Sequence, residues 1–462
     1  MSTIEKTIVI GWDCAEPTLI FDQWLDDLPN LKSLVEGGQY GTLTSSIPPI
    51  TVPAWSCMTS SKDPGKLGIY GFRNRSDHSY DKLGIATSLA VKEKRIWDLM
   101  GEHGKDSTVL GVPGTFPMTR PIRGHMVTGF LTPDINADYT RPVTLKKEIE
   151  LLVGEYLLDV KGFRTDNKQW LLDQIYEMTD KRFKVGKYLL NQKPWDLFWM
   201  VEMGTDRIHH GFWSQMDPTH HRHVPGNEFI NAIHDYYVHL DGLMGDMLAK
   251  VDRDKTVIWV VSDHGAKCMV GGFCFNTWLM NEGYLHLKEP PTPGQKFSTN
   301  LVDWSKTKAW GEGGYYGRLF MNVQGREPEG IIPPDQYDAV RDEIVAKLEA
   351  HPDHEGKLMG TRAYRPQELY KEINRIAPDL LVIFGELRWR SVGSLGNDGV
   401  FTFSNDTGPD DANHAQEGLY VMTHPSLPTG RVDGPTLYDV TPTILTTMGL
   451  PVPDDMRGRS LV

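Results

Sequence analysis

A carboxylate and an imidazole stand side by side at Asp263-His264, directly after the apolar run Thr256-Val-Ile-Trp-Val-Val261. Both side-chain types bind divalent cations and move protons. An apolar run without alternation reads as a buried strand of a mostly parallel sheet, and such sheets bind ligands at the carboxyl ends of their strands. The N-terminal run Thr7-Ile-Val-Ile-Gly-Trp12 repeats the arrangement and delivers Asp13. Thr51 opens a third segment, in which Pro53 falls at the start of an apolar run, so Thr51 reads as the N-cap of a helix. Capping alone accounts for many threonines. A hydroxyl there also faces free backbone N–H groups and the positive end of the helix dipole, which suits an alkoxide or a phosphate.

Asp206 and His210 are four residues apart and share one face of a helical turn, the geometry by which a short segment offers two ligands to one cation. A helix cap with a packed histidine is an equal reading of these two residues taken alone. His209 points elsewhere, and His220, His221 and His223 lie in a loop flanked by proline and glycine that reads as solvated surface. His414 stands in a polar loop before the strand-like Leu419-Tyr-Val-Met422. It completes a set of three aspartates and two histidines, and His424 is a weaker rival because Pro425 follows it.

Taken in order, these residues resemble the alkaline phosphatase superfamily. The branch they resemble is that of the type I phosphodiesterases and nucleotide pyrophosphatases, with the related phosphoglycerate-mutase-like phosphohydrolases. Asp13 comes first, then Thr51-Val-Pro53 as T-x-P, then Asp63-Pro-Gly-Lys-Leu-Gly-Ile69 as P-x-x-H-G-I. Asp206 with His210 resembles D-x-x-x-H, Ser262-Asp-His-Gly265 resembles S-D-H-G, and His414 resembles the late metal histidine. Asp439-Val-Thr-Pro-Thr-Ile-Leu445, Gly449-Leu-Pro-Val-Pro453 and Gly458-Arg-Ser-Leu461 are similar to the family's closing signature.

The resemblance implies an alkaline-phosphatase-like α/β fold, with a central mostly parallel sheet flanked by helices and carrying inserted cap or lid segments. It implies two divalent cations, zinc or manganese. Asp13, Asp263, His264 and Thr51 would meet at one, and Asp206, His210 and His414 would hold the other. It also implies a phosphoric ester hydrolase, a phosphodiesterase acting on a small-molecule phosphate ester through a Thr51 nucleophile and a phosphothreonine intermediate. A phosphomonoesterase or phosphomutase on the same scaffold is the alternative. Three carboxylates and an alkoxide would balance two divalent ions, whereas without metal the carboxylates would raise one another's pKa values.

The chain departs from the family pattern at several positions. Leu67 replaces the histidine of P-x-x-H-G-I. Phe72 stands where nucleotide-cleaving relatives carry an asparagine that contacts a phosphoryl oxygen, so either Asn74, two residues on, binds substrate through a shifted loop or another donor does that job. Thr205 and His209 replace a proline and a glycine around Asp206. Thr51, Pro53 and Trp55 do not match the C-x-P-x-R of sulfatases.

To position these groups the sequence offers strands at 7–12, 107–112, 195–201, 256–261 and 380–384, and helices at 228–250 and 335–350. Alternating strands and helices indicate one catalytic α/β domain over 1–462. Proline and glycine punctuation marks 267–400 as an inserted cap or lid, and the polar segment 134–190 is a second cap candidate. Trp55, Tyr70, Phe72, Tyr315 and Tyr316 are expected to pack rather than stack on a base. A net charge of −13 argues against a nucleic-acid polymer as partner. No apolar stretch is long enough for a bilayer, so no membrane partner is expected. The chain opens straight into a strand, which points to the cytoplasm. Four scattered cysteines read as free thiols.

Overall fold

The two apolar runs that end in acid lie side by side as parallel strands, Lys6–Trp12 against Thr256–Val261, with Gly11 opposite Val261. The computed structural model describes residues 4–462. Among the described residues nine strands form one sheet, in the order 430–431, 38–44, 417–423, 256–261, 6–12, 197–202, 107–110, 124–127 and 140–141. The central five, from 256–261 to 124–127, run parallel. Strand 417–423 joins antiparallel at one side and 140–141 at the other. Helices flank this mostly parallel sheet, and every residue of Leu197–Glu202 and Thr256–Val261 is buried, as continuous β-branched and aromatic runs require.

Helices Lys168–Gln192, Gly204–Met216 and Ala232–Leu248 pack on one another, and helix Thr51–Ser60 packs against Val440–Thr447. Gly11 is dictated by this packing: a Cβ there would lie 2.5 Å from the Trp55 ring and 2.9 Å from Val201. The strand expected at 107–112 stops at Leu110, because Gly111 turns the chain with φ 73°. The helix expected at 228–250 spans Ala232–Leu248, and the one at 335–350 starts as a single tight turn, Pro334–Gln336, before Tyr337–Ala350.

Residues 273–389 hold an apolar cluster of their own, which includes Phe273, Trp278, Trp310, Phe320, Ile344 and Phe384. It is built on a four-stranded antiparallel sheet, and the strand expected at 380–384 belongs here as Leu380–Ile383. A third cluster, with Ile50, Tyr70, Tyr315, Tyr316 and Leu381, ties this body to the segment that precedes Thr51. By contrast, the helices Leu145–Val153 and Lys168–Gln192 bury Ile149, Leu171 and Ile175 in the principal core. No helix among the described residues is long and apolar enough to cross a membrane.

Candidate metal centre and active site

Strand register sets the site. Trp12 lies opposite Glu202 and Gly11 opposite Val261, so the residues that follow these three strands emerge at one rim. Asp13 and Asp263 leave the strands directly. Asp206 leaves from the first turn of Gly204–Met216, where the Gly204 N–H donates to the Glu202 carboxylate at 2.7 Å. His414 arrives on the short strand Ala412–Ala415, which pairs antiparallel with Gly265–Cys268. The cap of helix Thr51–Ser60 is Ile50, with extended backbone, rather than Thr51. Thr51 is the first helical residue, so its hydroxyl is not consumed by capping and lies 3.4 Å from His264 Nε2.

All seven metal-ligand candidates are buried around two adjoining groups that share Asp206, whose ligand atoms lie within 4.8 Å of those of His210 and His414 and of those of Asp13 and His264. In the first, His210 Nε2 is 3.2 Å from Asp206 Oδ1 and 3.3 Å from His414 Nε2, and His414 Nε2 is 3.8 Å from Asp206 Oδ1. In the second, His264 Nε2 is 3.2 Å from Asp263 Oδ2 and 3.9 Å from Asp13 Oδ1, with Thr51 beside it. The His264 and His414 rings stack at 3.8 Å, which joins the groups. Cys14 Sγ also belongs to the first group, a neighbour that the sequence did not single out.

Each histidine is aimed by its far nitrogen. His264 Nδ1–H donates to the Gly265 carbonyl at 3.1 Å, His414 Nδ1–H to the Pro49 carbonyl at 2.8 Å, and His210 Nδ1–H to Asp410 Oδ1 at 2.7 Å. Their Nε2 atoms therefore converge on the acids, the orientation that metal-binding histidines adopt. Asp13 Oδ1 and Asp263 Oδ2 are buried and, among the described residues, have no hydrogen-bond partner. Orphaned carboxylate oxygens beside converging imidazole nitrogens fit divalent cations.

The electrostatics agree. Burial, then the neighbouring carboxylate, pushes Asp13 and Asp263 well above the usual range. Burial opposes ionisation of Asp206 too, but His210 and Arg207 outweigh it and hold that group low. Burial lowers His264 to about 4. It also works against protonation of His210, yet Asp410 and Asp206 prevail and raise that imidazole to about 9. Cations in the two groups would restore Asp13 and Asp263 to carboxylates.

A further layer braces the ligands. Trp55 Nε1–H donates to Asp13 Oδ2 at 2.6 Å, so the aromatic expected only to pack also orients a candidate ligand. Asp410, unmarked in the sequence, accepts from Arg164 Nε at 2.9 Å and from the Tyr315 hydroxyl at 3.0 Å while it holds His210. Arg207 makes a two-pronged pair with Asp159, both bonds 2.8 Å, and also touches Asp206.

The site opens into a cavity of about 550 Å³ whose wall includes Thr51, Asp206, His210 and His414. Tyr315 lies over two of the candidate metal histidines, its ring centroid 4.9 Å from His210 and 4.4 Å from His414. Six cations reach the same cavity: Arg73, Arg164, Arg207, Lys296, Arg318 and Arg390.

The family model described as type I phosphodiesterase / nucleotide pyrophosphatase matches residues 7–415. The chain belongs to this family. As a type I phosphodiesterase family member it is an enzyme, a divalent-metal-dependent phosphohydrolase. Among solved structures, human ectonucleotide pyrophosphatase / phosphodiesterase 5 is 12% identical over 97% of this chain and 96% of its own, with a TM-score of 0.56. An inactive form of the murine protein, in complex with AMP, is 13% identical over 98% and 97%, with a TM-score of 0.53. Phosphonoacetate hydrolase from Sinorhizobium meliloti 1021, in complex with phosphonoformate, is 14% identical over 97% and 96%, with a TM-score of 0.62. These likenesses show the alkaline-phosphatase-like α/β fold. No curated protein sequence matches the chain.

The departures from the type I phosphodiesterase pattern have structural counterparts. Thr205, in place of proline, donates its hydroxyl to the Asp13 carbonyl at 2.5 Å, and His209, in place of glycine, lies 3.0 Å from the Cys14 carbonyl. Together they clamp the turn that follows the first strand. Asn74 is not brought to the cavity. Its amide accepts from the Tyr70 N–H at 2.7 Å and donates to the Gly71 carbonyl at 2.9 Å, so it closes its own turn while Phe72 and Arg73 face the cavity. His424 is occupied by Ser426 and the Asp254 carbonyl. His220, expected on the solvated surface, is buried with its Nδ1 accepting from the Arg222 N–H at 3.1 Å.

Proposed function

We propose that this chain is a two-metal phosphoric ester hydrolase that prefers diesters of small molecules and uses Thr51 as its nucleophile. The observation that carries the reading is the position of Thr51. Its hydroxyl is free of capping duty, stands 3.4 Å from His264 Nε2, and shares a cavity wall with Asp206, His210 and His414.

Asp13, Asp263, His264 and Thr51 would hold one cation and Asp206, His210 and His414 the other, with zinc or manganese as the metal. When bound, such a pair supplies charge neutralisation and Lewis acidity to the phosphoryl oxygens. The protein's own contribution begins with Thr51, whose oxygen attacks phosphorus while the ester oxygen departs on the opposite side. A second in-line attack by water releases the phosphoryl group from the phosphothreonine. The free N–H groups at the start of helix Thr51–Ser60 face the negative charge that builds up during both steps.

The walls suit an anionic substrate. Lys296 forms no ion pair among the described residues, and Arg73 and Arg318 together face the single carboxylate of Glu312 in the same wall, although the chain as a whole carries a charge of −13. In two fold relatives the molecules in complex, AMP and phosphonoformate, are phosphorus oxyanions as well. On this reading 267–400 is a cap that lays Tyr315 over the site, whereas 134–190 is part of the principal core and brings only Asp159, Phe163 and Arg164, between its two helices, to the cavity edge. Four unpaired, buried cysteines suit a reducing compartment, which is the ground for placing the enzyme in the cytoplasm.

Thr51→Ala should lower hydrolysis of bis-p-nitrophenyl phosphate about a thousandfold or more while circular dichroism stays unchanged. Turnover at the wild-type rate in that variant rules out the nucleophile. Parallel assays with p-nitrophenyl phosphate decide between diester and monoester, and conversion of a phosphate ester without release of phosphate would indicate a mutase.

A further inference from the structure

We infer that Cys14 is a metal ligand, and that its thiolate makes the Asp206–His210–His414 position a zinc site rather than a manganese site. The inference rests on the two-cation reading above and goes beyond it. Ligand atoms of Cys14, Asp206, His210 and His414 lie within 4.8 Å of one another, and all four residues are buried.

The backbone is bent to make this possible. Cys14 has φ 63°, in the left-handed region that a residue with a Cβ rarely adopts. Such a conformation persists only where the surroundings over-determine it, and it is a recognised mark of functional positions. Here every neighbouring backbone group is held. The Cys14 N–H donates to Asp263 Oδ1 at 3.2 Å, its carbonyl accepts from His209, the Asp13 carbonyl accepts from Thr205, and the Ala15 N–H donates to Ser262 Oγ at 2.9 Å. This clamp fixes the thiol on the side of His210 and His414, where its S–H donates to the Gly265 carbonyl at 3.3 Å until a metal takes the sulfur. Cys57, Cys268 and Cys274 belong to no such group among the described residues.

With Cys14 the donor set is one sulfur, two imidazole nitrogens and one carboxylate oxygen. Four donors of that composition match zinc, whereas oxygen-preferring manganese gains little from a soft sulfur. On binding, the S–H bond breaks, a sulfur–metal bond forms, and the proton passes to the buffer.

Cobalt(II) reports thiolate ligation directly, by a sulfur-to-metal charge-transfer band in the near ultraviolet that oxygen and nitrogen ligands do not give. Full-length protein loaded with two cobalt ions should show the band. Cys268→Ser should keep it, and Cys14→Ser should lose it. Zinc affinity, measured by competition with a chromophoric chelator, should fall at least about tenfold in Cys14→Ser, with a smaller fall for manganese. Cys14→Gly tolerates the positive φ and gives the same answer should the serine variant fold poorly. Two bound cobalt ions without the band, or a band that survives loss of Cys14, overturn the assignment alone. Absence of bound cobalt overturns the two-cation reading together with it.

Discussion

Asp410 accepts from His210 Nδ1–H at 2.7 Å and is itself held by Arg164 and Tyr315, so it fixes the tautomer and direction of this candidate metal ligand. Asp410→Asn retains the shape but removes the charge that steadies the imidazole. Metal affinity should fall about 10- to 100-fold. Titration against a zinc indicator measures this, and affinity equal to wild type would mean that the pair is incidental. At this scale the sequence exposed the ligands and hid their supports. Asp13, Asp263 and His264 announce themselves by ending apolar runs, and Asp206 with His210 by a helical spacing. Asp410, Trp55, Thr205 and His209 act through contacts between residues from 42 to 200 positions apart, which no local pattern encodes. Asn74 was misread for a related reason. An amide near the expected place satisfied its own turn first, through Tyr70 and Gly71.

Helix Thr51–Ser60 must present its first residue accurately, and the closing segment of the chain secures its other end. Thr441 Oγ1–H donates to the Met58 carbonyl at 2.6 Å, Ser61 Oγ–H donates to the Tyr438 carbonyl at 2.7 Å, and the Gly458 N–H reaches Ser61 Oγ at 3.0 Å. Gly458 has no room for a side chain, because a Cβ would lie 2.0 Å from the Tyr438 carbonyl oxygen. The tail motif that resembles the family signature is therefore a brace for the helix that carries Thr51, the proposed nucleophile. Thr441→Val keeps the volume but leaves a buried carbonyl unpaired at the helix end. It should cost about 1–3 kcal/mol, read by urea denaturation. An unchanged midpoint would show that water or a shifted partner replaces the bond. The sequence marked this helix correctly from Pro53 and the apolar run, yet placed Thr51 one position early, as the cap. The one-residue difference matters chemically, because a capping hydroxyl is already engaged.

Across the whole molecule the order of the sheet, 256–261 beside 6–12 beside 197–202, is what gathers the candidate ligands from positions 13 to 414. Strand existence was legible from apolar runs, whereas adjacency was not, since it depends on packing between segments far apart in the chain. The same convergence concentrates buried acid, and it makes the site a stabilising element only when its charge is balanced. Asp13 and Asp263 resist ionisation through burial and through repulsion from a neighbouring carboxylate, Asp206 for the first and Asp13 for the second, so cations bound to the folded state alone should raise stability, by about 4 kcal/mol at a thousandfold excess over Kd. Chelation with EDTA should thus lower the thermal midpoint and loosen the molecule unevenly. Amide exchange should quicken at 13–16, 204–210 and 411–415, and in the 313–316 loop that lies over His210 and His414. Strands Gly317–Met321 and Leu380–Ile383, inside the separate apolar cluster of 273–389, should stay protected. Equal acceleration throughout would mean that the two bodies open as one unit, and no acceleration at 13–16 would remove the metals from the account of how this rim is held together.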